Sequence, residues 1–168
     1  MPKITERECI LFIIVKIWTM KQEWTNNNAL LEKFTNYVML DGKKSVAKKI
    51  MNDTFEIIKS KGQKDPKGVF FKALENVMPR IEVRPKRVWG SIFQVPQEVH
   101  EGRQIFLAGK WIIEAARKKK GTQFAKFLAN ELIDAANETG DSVKKKLDVY
   151  KMAEANKAFA RFANKKRK

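Results

Sequence analysis

The chain has 168 residues and a mass of 19.5 kDa, the length of one domain, and its 43% apolar content with eleven Phe and four Trp is enough to bury a core. Lys and Arg number 35 against 19 Asp and Glu, a net charge of +16 at pH 7 that favours a polyanionic partner. One Cys and one His exclude an internal disulfide and a zinc site of Cys and His ligands within this chain. We therefore expect neither a metal nor a cofactor.

Residues 1–28 form an atypical N-terminal arm. Its longest apolar stretch runs from Cys9 to Trp18, interrupted at Lys16, and is shorter than the roughly 20 residues of a membrane-spanning helix. Glu6 and Glu8 interrupt the basic leader of a secretory signal, and no small-residue cleavage site follows. Two interpretations stay open: a packed strand or helix, and an arm that is disordered or bound to a partner.

Three helices are predicted in the first half of the chain, over about 28–42, 44–62 and 65–79. Asp65-Pro66 is the clearest start, because Asp accepts hydrogen bonds from free helical amides and Pro suits the first helical position. The first helix is capped by Asn28. The apolar residues that recur at helical spacing are Leu31, Phe34 and Val38, then Ala47, Met51, Phe55 and Ile58, then Phe70, Leu74 and Val77.

The pattern changes over about 80–99, where β-forming residues predict two strands at 81–84 and 92–95 joined by a segment rich in turn residues. Helical spacing then resumes in three further helices. Their apolar positions are Ile105, Ala108, Ile112 and Ala115, then Phe124, Leu128, Leu132 and Ala135, then, after Asp141 or Ser142, Val143, Leu147, Tyr150 and Ala153. The predicted fold is mainly α, a six-helix bundle over 29–163 with a protruding two-stranded β-hairpin between helices three and four, followed by a basic tail over 164–168.

Positive charge is clustered in four places, over 43–49, 79–90, 103–120 and 141–168. A single lysine run is usually a solvated helix end, and the tail after Asn164 fits that interpretation, but four patches together favour nucleic acid. Trp89 beside Gly90 at the hairpin tip either packs on the body or presents its ring to an unpaired base. For Phe93 we expect packing against the bundle.

Catalytic patterns are absent from the sequence. Gly102 to Lys110 lacks the spacing of a phosphate-binding loop, and His100 has no second histidine for a metal and no positioned nucleophile. Cys9 lies in an apolar run, which favours an inert thiol. Asp148 with Lys144 or Lys145 is better explained as surface ion pairing than as acid–base machinery. We therefore expect a protein that is not an enzyme.

Seven strings in order, spanning about Leu30 to Phe162, resemble small-subunit ribosomal protein seven of the bacterial and organellar type. They are Asp41-Gly42-Lys43-Lys44-Ser45, Ala73-Leu74-Glu75-Asn76-Val77-Met78-Pro79, Glu82-Val83, Gln94-Val95-Pro96 with Glu98-Val99, Trp111-Ile112-Ile113-Glu114-Ala115-Ala116-Arg117, Leu128-Ala129-Asn130-Glu131-Leu132 and Met152-Ala153-Glu154-Ala155-Asn156-Lys157-Ala158-Phe159-Ala160.

The resemblance implies the same layout of six helices and a hairpin. It also implies a structural constituent of the small ribosomal subunit that binds rRNA as a primary protein, organises the 3′ major (head) domain, contacts neighbouring small-subunit proteins and borders the tRNA exit site and the mRNA path. The rRNA-binding residues implied by matching positions are Lys43, Lys44, Arg84, Arg87, Arg103, Arg117, Lys144, Lys145 and Lys146. The residues implied near mRNA and tRNA at the hairpin tip are Lys86, Trp89 and Gly90.

Three departures from the family pattern favour a mitochondrial ribosome over a bacterial one. The arm is apolar where the family has an Arg-rich arm. At the hairpin tip, Trp89-Gly90 stands where the family has two adjacent glycines. After Val99, the segment His100 to Gln104 keeps one of the family's paired arginines, Arg103. A basic helical DNA-binding or architectural protein is the alternative from another class, and a nucleic-acid enzyme is a second.

Overall fold

The computed structural model describes residues 28–121 and 123–163. The predicted arm, apart from residue 28, and the basic tail lie outside the described residues. The chain divides into two units, residues 1–47 and 48–168, which we describe separately. In the described part of the first unit, residues 28–38 form helix α1, with Phe34 and Val38 buried. Asn28 is already helical, so it is not the residue that caps this helix as predicted.

Helix α2 (Lys44–Ser60) and helix α3 (Pro66–Val77) follow their predicted boundaries. Asp65 caps α3, its carboxylate accepting a 3.1 Å hydrogen bond from the Lys67 amide, and Gly62 ends the preceding turn at φ +87°. Within the second unit, Phe55 of α2 meets Phe70 of α3 edge to face, with ring centroids 6.3 Å apart. These helices form where the sequence predicts them because periodicity and caps agree.

The hairpin consists of β1 (Ile81–Val88) and β2 (Ser91–Glu98), which pair antiparallel with Val88 opposite Ser91. Both strands are longer than predicted. Pro85 and the charged residues around it belong to β1 and not to a turn, and β2 continues past Val95 to Glu98. A two-stranded ribbon has an open edge on each strand, and Pro is tolerated where its missing N–H would face that edge. The turn itself is Trp89-Gly90, with φ +50° and +87° as a type I′ turn requires.

Helices α4 (Glu101–Lys118), α5 (Phe124–Ala136) and α6 (Asp141–Ala155) follow the hairpin, and a short 3₁₀ helix (Lys157–Phe162) ends the described chain. Helix α5 packs against α3, α4 and α6, with Leu128 and Leu132 fully buried. The prediction for α6 is partly wrong: Leu147 is 51% exposed, and the buried positions include Val149 and Ala153. The mainly α architecture with a hairpin between α3 and α4 is confirmed.

A small apolar cluster lies on one face of the hairpin. Val88 and Val95 pack there against Phe162 of the 3₁₀ helix, and Phe93 and Phe159 adjoin them with ring centroids 5.0 Å apart. Phe93 therefore packs on the body of the protein, as expected. The C-terminal turn and the hairpin support each other through this cluster.

Candidate nucleic-acid interface

The first basic loop lies between α1 and α2. Asp41 and Gly42 adopt positive φ, at +52° and +72°, and turn the chain so that Lys43 and Lys44 stand exposed at the start of α2. No acidic residue lies in the first turn of this helix. Two exposed ammonium groups at a helix N-terminus suit an anion such as phosphate.

At the base of the hairpin, one buried carboxylate holds two of the predicted arginines. Glu82 is 8% exposed and pairs through Oε1 with Arg84 Nε and through Oε2 with Arg103 Nε, the latter at 3.2 Å. The guanidinium of Arg103 also lies 5.4 Å from the Phe106 ring centroid. Because each guanidinium has five N–H donors, this arrangement fixes both arginines while leaving donors for phosphate oxygens.

The hairpin tip presents a cation and an aromatic ring. Arg87 is exposed and lies opposite Ile92, which is also exposed. Trp89 is 81% exposed while its ring meets Phe162 edge to face, with centroids 5.8 Å apart. The Trp89 ring thus contacts the body of the protein while most of its surface stays accessible to solvent, and its stacking on an unpaired base stays a prediction.

Lys86 turns toward the protein. Its Nζ donates to the backbone carbonyls of Phe162, at 2.5 Å, and Ala163, at 3.2 Å, at the end of the 3₁₀ helix. A cation at this position satisfies carbonyls that the helix end leaves without intrahelical donors. Lys86 therefore has an intramolecular role, and its proximity to mRNA or tRNA stays a prediction.

The remaining predicted cations lie at the end of α4 and in α6. Arg117 is exposed, with its guanidinium 6.0 Å from the Phe124 ring centroid. Lys144 and Lys145 are exposed, Lys144 pairing with Asp141 at 3.4 Å across one helical turn. Lys146 is half-buried and donates to the Asn76 carbonyl at 2.7 Å near the end of α3. The structure thus gives Lys146 a helix-joining role beside any contact with RNA.

Sequence reasoning missed a buried ion pair. Glu131 of α5 is fully buried and pairs with Lys119 at 2.8 Å. The hydrogen bond that Lys119 donates to Glu131 is the main reason that the pKa of Lys119 lies above the usual 10.5, with Asp141 and Asp134 contributing further attraction. The signal was present in the sequence, because Glu131 falls between Leu128 and Leu132 on an otherwise apolar face.

Within residues 28–121 and 123–163, no group of three or more His, Cys, Asp and Glu side chains is placed to hold a metal ion. Among the helices in the same part of the chain, none is long and apolar enough to cross a membrane. His100 is exposed at the start of α4, and Cys9 lies outside the described residues.

Comparison with known proteins gives a consistent result. Residues 13–157 match the model of the family described as ribosomal protein S7p/S5e, beginning inside the predicted arm. Small ribosomal subunit protein uS7 of Thermosipho africanus is 52% identical over 136 residues, covering 81% of this chain and 88% of that protein. The protein of the same name from Thermotoga maritima is 53% identical over 135 residues, covering 80% and 87%. That of Treponema denticola is 52% identical over 136 residues, covering 81% and 87%.

Proposed function

Because the chain belongs to the ribosomal protein S7p/S5e family, we propose that it acts by holding folded small-subunit rRNA on several basic surfaces at once. It is a structural, non-enzymatic component of the small ribosomal subunit, and it binds small-subunit rRNA and neighbouring ribosomal proteins. The observation that carries this conclusion is the match over residues 13–157, supported by the net charge of +16.

The cations predicted to bind rRNA are the groups that contact phosphate. Seven of them are exposed and two are half-buried: the exposed ones are Lys43, Lys44, Arg84, Arg87, Arg117, Lys144 and Lys145, and the half-buried ones are Arg103 and Lys146. Contacts of this kind fix the register and orientation of the protein on RNA without reading base sequence. The two ion pairs of Glu82 support this role, because they hold the side chains of Arg84 and Arg103 in fixed positions before RNA binds.

The position of the protein in the subunit is part of the proposal. The RNA contacts organise the 3′ major domain, and the hairpin borders the tRNA exit site and the mRNA path. The type I′ turn with Trp89 and Gly90 at the hairpin tip supports this placement, because Arg87 and most of the Trp89 ring are accessible to solvent there, although one contact of that ring is with Phe162.

The ribosome concerned is proposed to be mitochondrial. The relatives named above are bacterial, and support for an organelle comes from the apolar arm, Trp89 at the tip and the single arginine, Arg103, in the segment His100 to Gln104. Fractionation of cells expressing a tagged chain tests this assignment. The tagged chain is expected to co-sediment with the mitochondrial small subunit. Detection of the tag only in cytosolic or bacterial subunits contradicts the mitochondrial assignment.

Salt dependence of binding tests the RNA interface. Each phosphate contact adds about 0.7 to 0.9 to the slope of log affinity against log salt, so replacing Arg84 and Arg87 together by Ala is expected to lower the slope by about one to two units. Lys72→Ala, which removes an exposed cation of α3 outside the proposed set, is the matched control and is expected to change the slope little. An unchanged slope in the double variant removes the hairpin from the interface.

The alternative of a DNA-binding protein is tested in the same assay. Filter binding compares a transcribed fragment of the rRNA 3′ major domain with duplex DNA at matched salt. We expect clear preference for rRNA, and equal affinity for both rejects the ribosomal function.

A further inference from the structure

A buried carboxylate joins two basic segments of the chain. Glu131 accepts a hydrogen bond at Oε2 from Lys119, which directly follows α4. Its Oε1 accepts two more, both at 2.9 Å, from the backbone amide and the hydroxyl of Ser142 in the first turn of α6. One side chain of α5 thus contacts the end of one basic segment and the beginning of another.

Glu131 also takes the place of a missing helix cap. The N-cap position of α6 is Gly140, which has no side chain to accept a hydrogen bond from the first amides. Gly140 has φ +98°, and a Cβ atom there would lie 2.9 Å from Glu131 Oε1. The backbone therefore approaches the carboxylate more closely than other residues allow, and the negative charge is favourably placed at the helix N-terminus.

The two segments are strongly positive on both sides of this contact. Arg117, Lys118 and Lys120 surround Lys119, and Lys144 and Lys145 follow Ser142 by two and three residues. Holding like charges close together is unfavourable in the absence of a counter-charge. Glu131 supplies that charge from inside the protein, where it is fully buried and out of reach of RNA.

We propose that Glu131 and Lys119 are positioning residues that hold two groups of cations together as one composite site for RNA phosphates. The groups are Arg117, Lys118 and Lys120 beside Lys119, and Lys144 and Lys145 in α6. This inference rests on the proposed rRNA-binding function. Lys119 itself pairs with Glu131 and is not a phosphate ligand. The exposed lysines and the arginine beside it bind the phosphates of the RNA backbone.

The sign of the effect of Glu131→Gln distinguishes positioning from simple charge. Removing a negative charge from a protein that binds RNA strengthens binding if the only effect is electrostatic. Loss of positioning acts in the opposite direction, because the two segments separate and fewer phosphates are neutralised together. We expect Glu131→Gln to weaken binding to the rRNA fragment about tenfold and to lower the salt slope by about two units.

Glu114→Gln is the matched control. Glu114 lies on α4, is exposed and pairs with Lys110 at 3.7 Å, so the substitution removes the same charge without touching the α6 contact. Its affinity is expected to equal or slightly exceed that of the unmodified protein, with the slope unchanged. Binding by Glu131→Gln that matches this control overturns the proposal. The variants are compared by the slope of log affinity against log salt, because this slope does not depend on the fraction of active protein.

A single substitution tests Lys119 separately. Lys119→Met in the otherwise unmodified protein breaks the same ion pair and is expected to lower the slope by about two units, as Glu131→Gln does. A decrease of only about 0.7 to 0.9, the loss of one phosphate contact, or no decrease, overturns its assignment as a positioning residue. If Glu131→Gln does not fold, Ser142→Ala, which loses one of the three bonds, is expected to lower the slope less, and no decrease overturns the proposal. Failure of the unmodified protein to bind the rRNA fragment contradicts the proposed function instead.

Discussion

Several cations that composition assigns to an RNA surface serve the protein's own structure. Lys119 pairs with a buried carboxylate, while Lys86 and Lys146 donate to backbone carbonyls. The sequence predicts how many positive residues each segment has, but not the direction in which a long flexible side chain turns. That direction depends on which acceptors the tertiary fold brings near, such as the Asn76 carbonyl, 70 residues from Lys146. Sequence patterns therefore predict which segments carry positive charge more reliably than which atoms each side chain contacts.

The raised pKa of Lys119 predicts a specific pH dependence of stability. A lysine whose pKa is higher in the folded state adds stability that is complete below its unfolded pKa and is lost as pH rises through the folded pKa. Lys119→Met is expected to lower the free energy of unfolding by about 2 kcal/mol at neutral pH, less than for a fully buried pair because Lys119 is 32% exposed. This difference is constant at neutral pH and shrinks above 10.5.

Urea unfolding of the unmodified protein and Lys119→Met from pH 7 to 12 measures this difference. Lys118→Met, the exposed neighbour, is the control and is expected to change stability little at any pH. A difference between the unmodified protein and Lys119→Met that stays constant up to pH 12 contradicts the role assigned to the ion pair.

At the level of elements, the sequence predicts the bounds and the buried face of a helix best where capping residues, prolines and apolar spacing all indicate the same helix. Helix α3 begins at Pro66 after an Asp cap and ends at Val77 before Pro79, as the pattern indicates. In α6 the apolar residues are spread around the helix, so periodicity selects Leu147, whereas in the structure Leu147 is exposed and Val149 is buried. The helix as a whole contacts β1 and α4. The 3₁₀ helix was not predicted, because its structure depends on Lys86 and on the apolar face of a hairpin distant in sequence.

The contact between hairpin and 3₁₀ helix predicts that Phe162 stiffens the hairpin. Phe162 is 8% exposed and contacts Val88 and Val95, so Phe162→Ala removes the centre of this cluster at a cost of about 3 kcal/mol. Amide hydrogen exchange is expected to become faster in β1 and β2 and to stay unchanged in α5, which packs elsewhere. Lys157→Ala, at the exposed start of the same turn, is the control. If the amides of the hairpin exchange at the same rate in Phe162→Ala and in the control, Phe162 does not stiffen the hairpin.

At the scale of the whole molecule, charge separates the arm from the rest of the chain. Residues 1–24 contain four Lys or Arg and three Glu, whereas the chain as a whole carries +16. Electrostatic attraction to RNA therefore resides almost entirely beyond the arm. The arm is instead rich in apolar residues, a composition that suits a protein neighbour better than a phosphate backbone.

Deletion of residues 1–24 is accordingly expected to leave the affinity for the rRNA fragment and its salt slope close to those of the full chain, while lowering incorporation into small subunits. Filter binding measures the first quantity, and competition between tagged full-length and truncated chains for assembled subunits measures the second. Arg84→Ala with Arg87→Ala serves as the reciprocal control, because it is expected to weaken RNA binding in the filter assay as well as assembly. A collapse of rRNA affinity on deletion makes the arm an RNA contact, since a loss of about one net charge is too small to account for it.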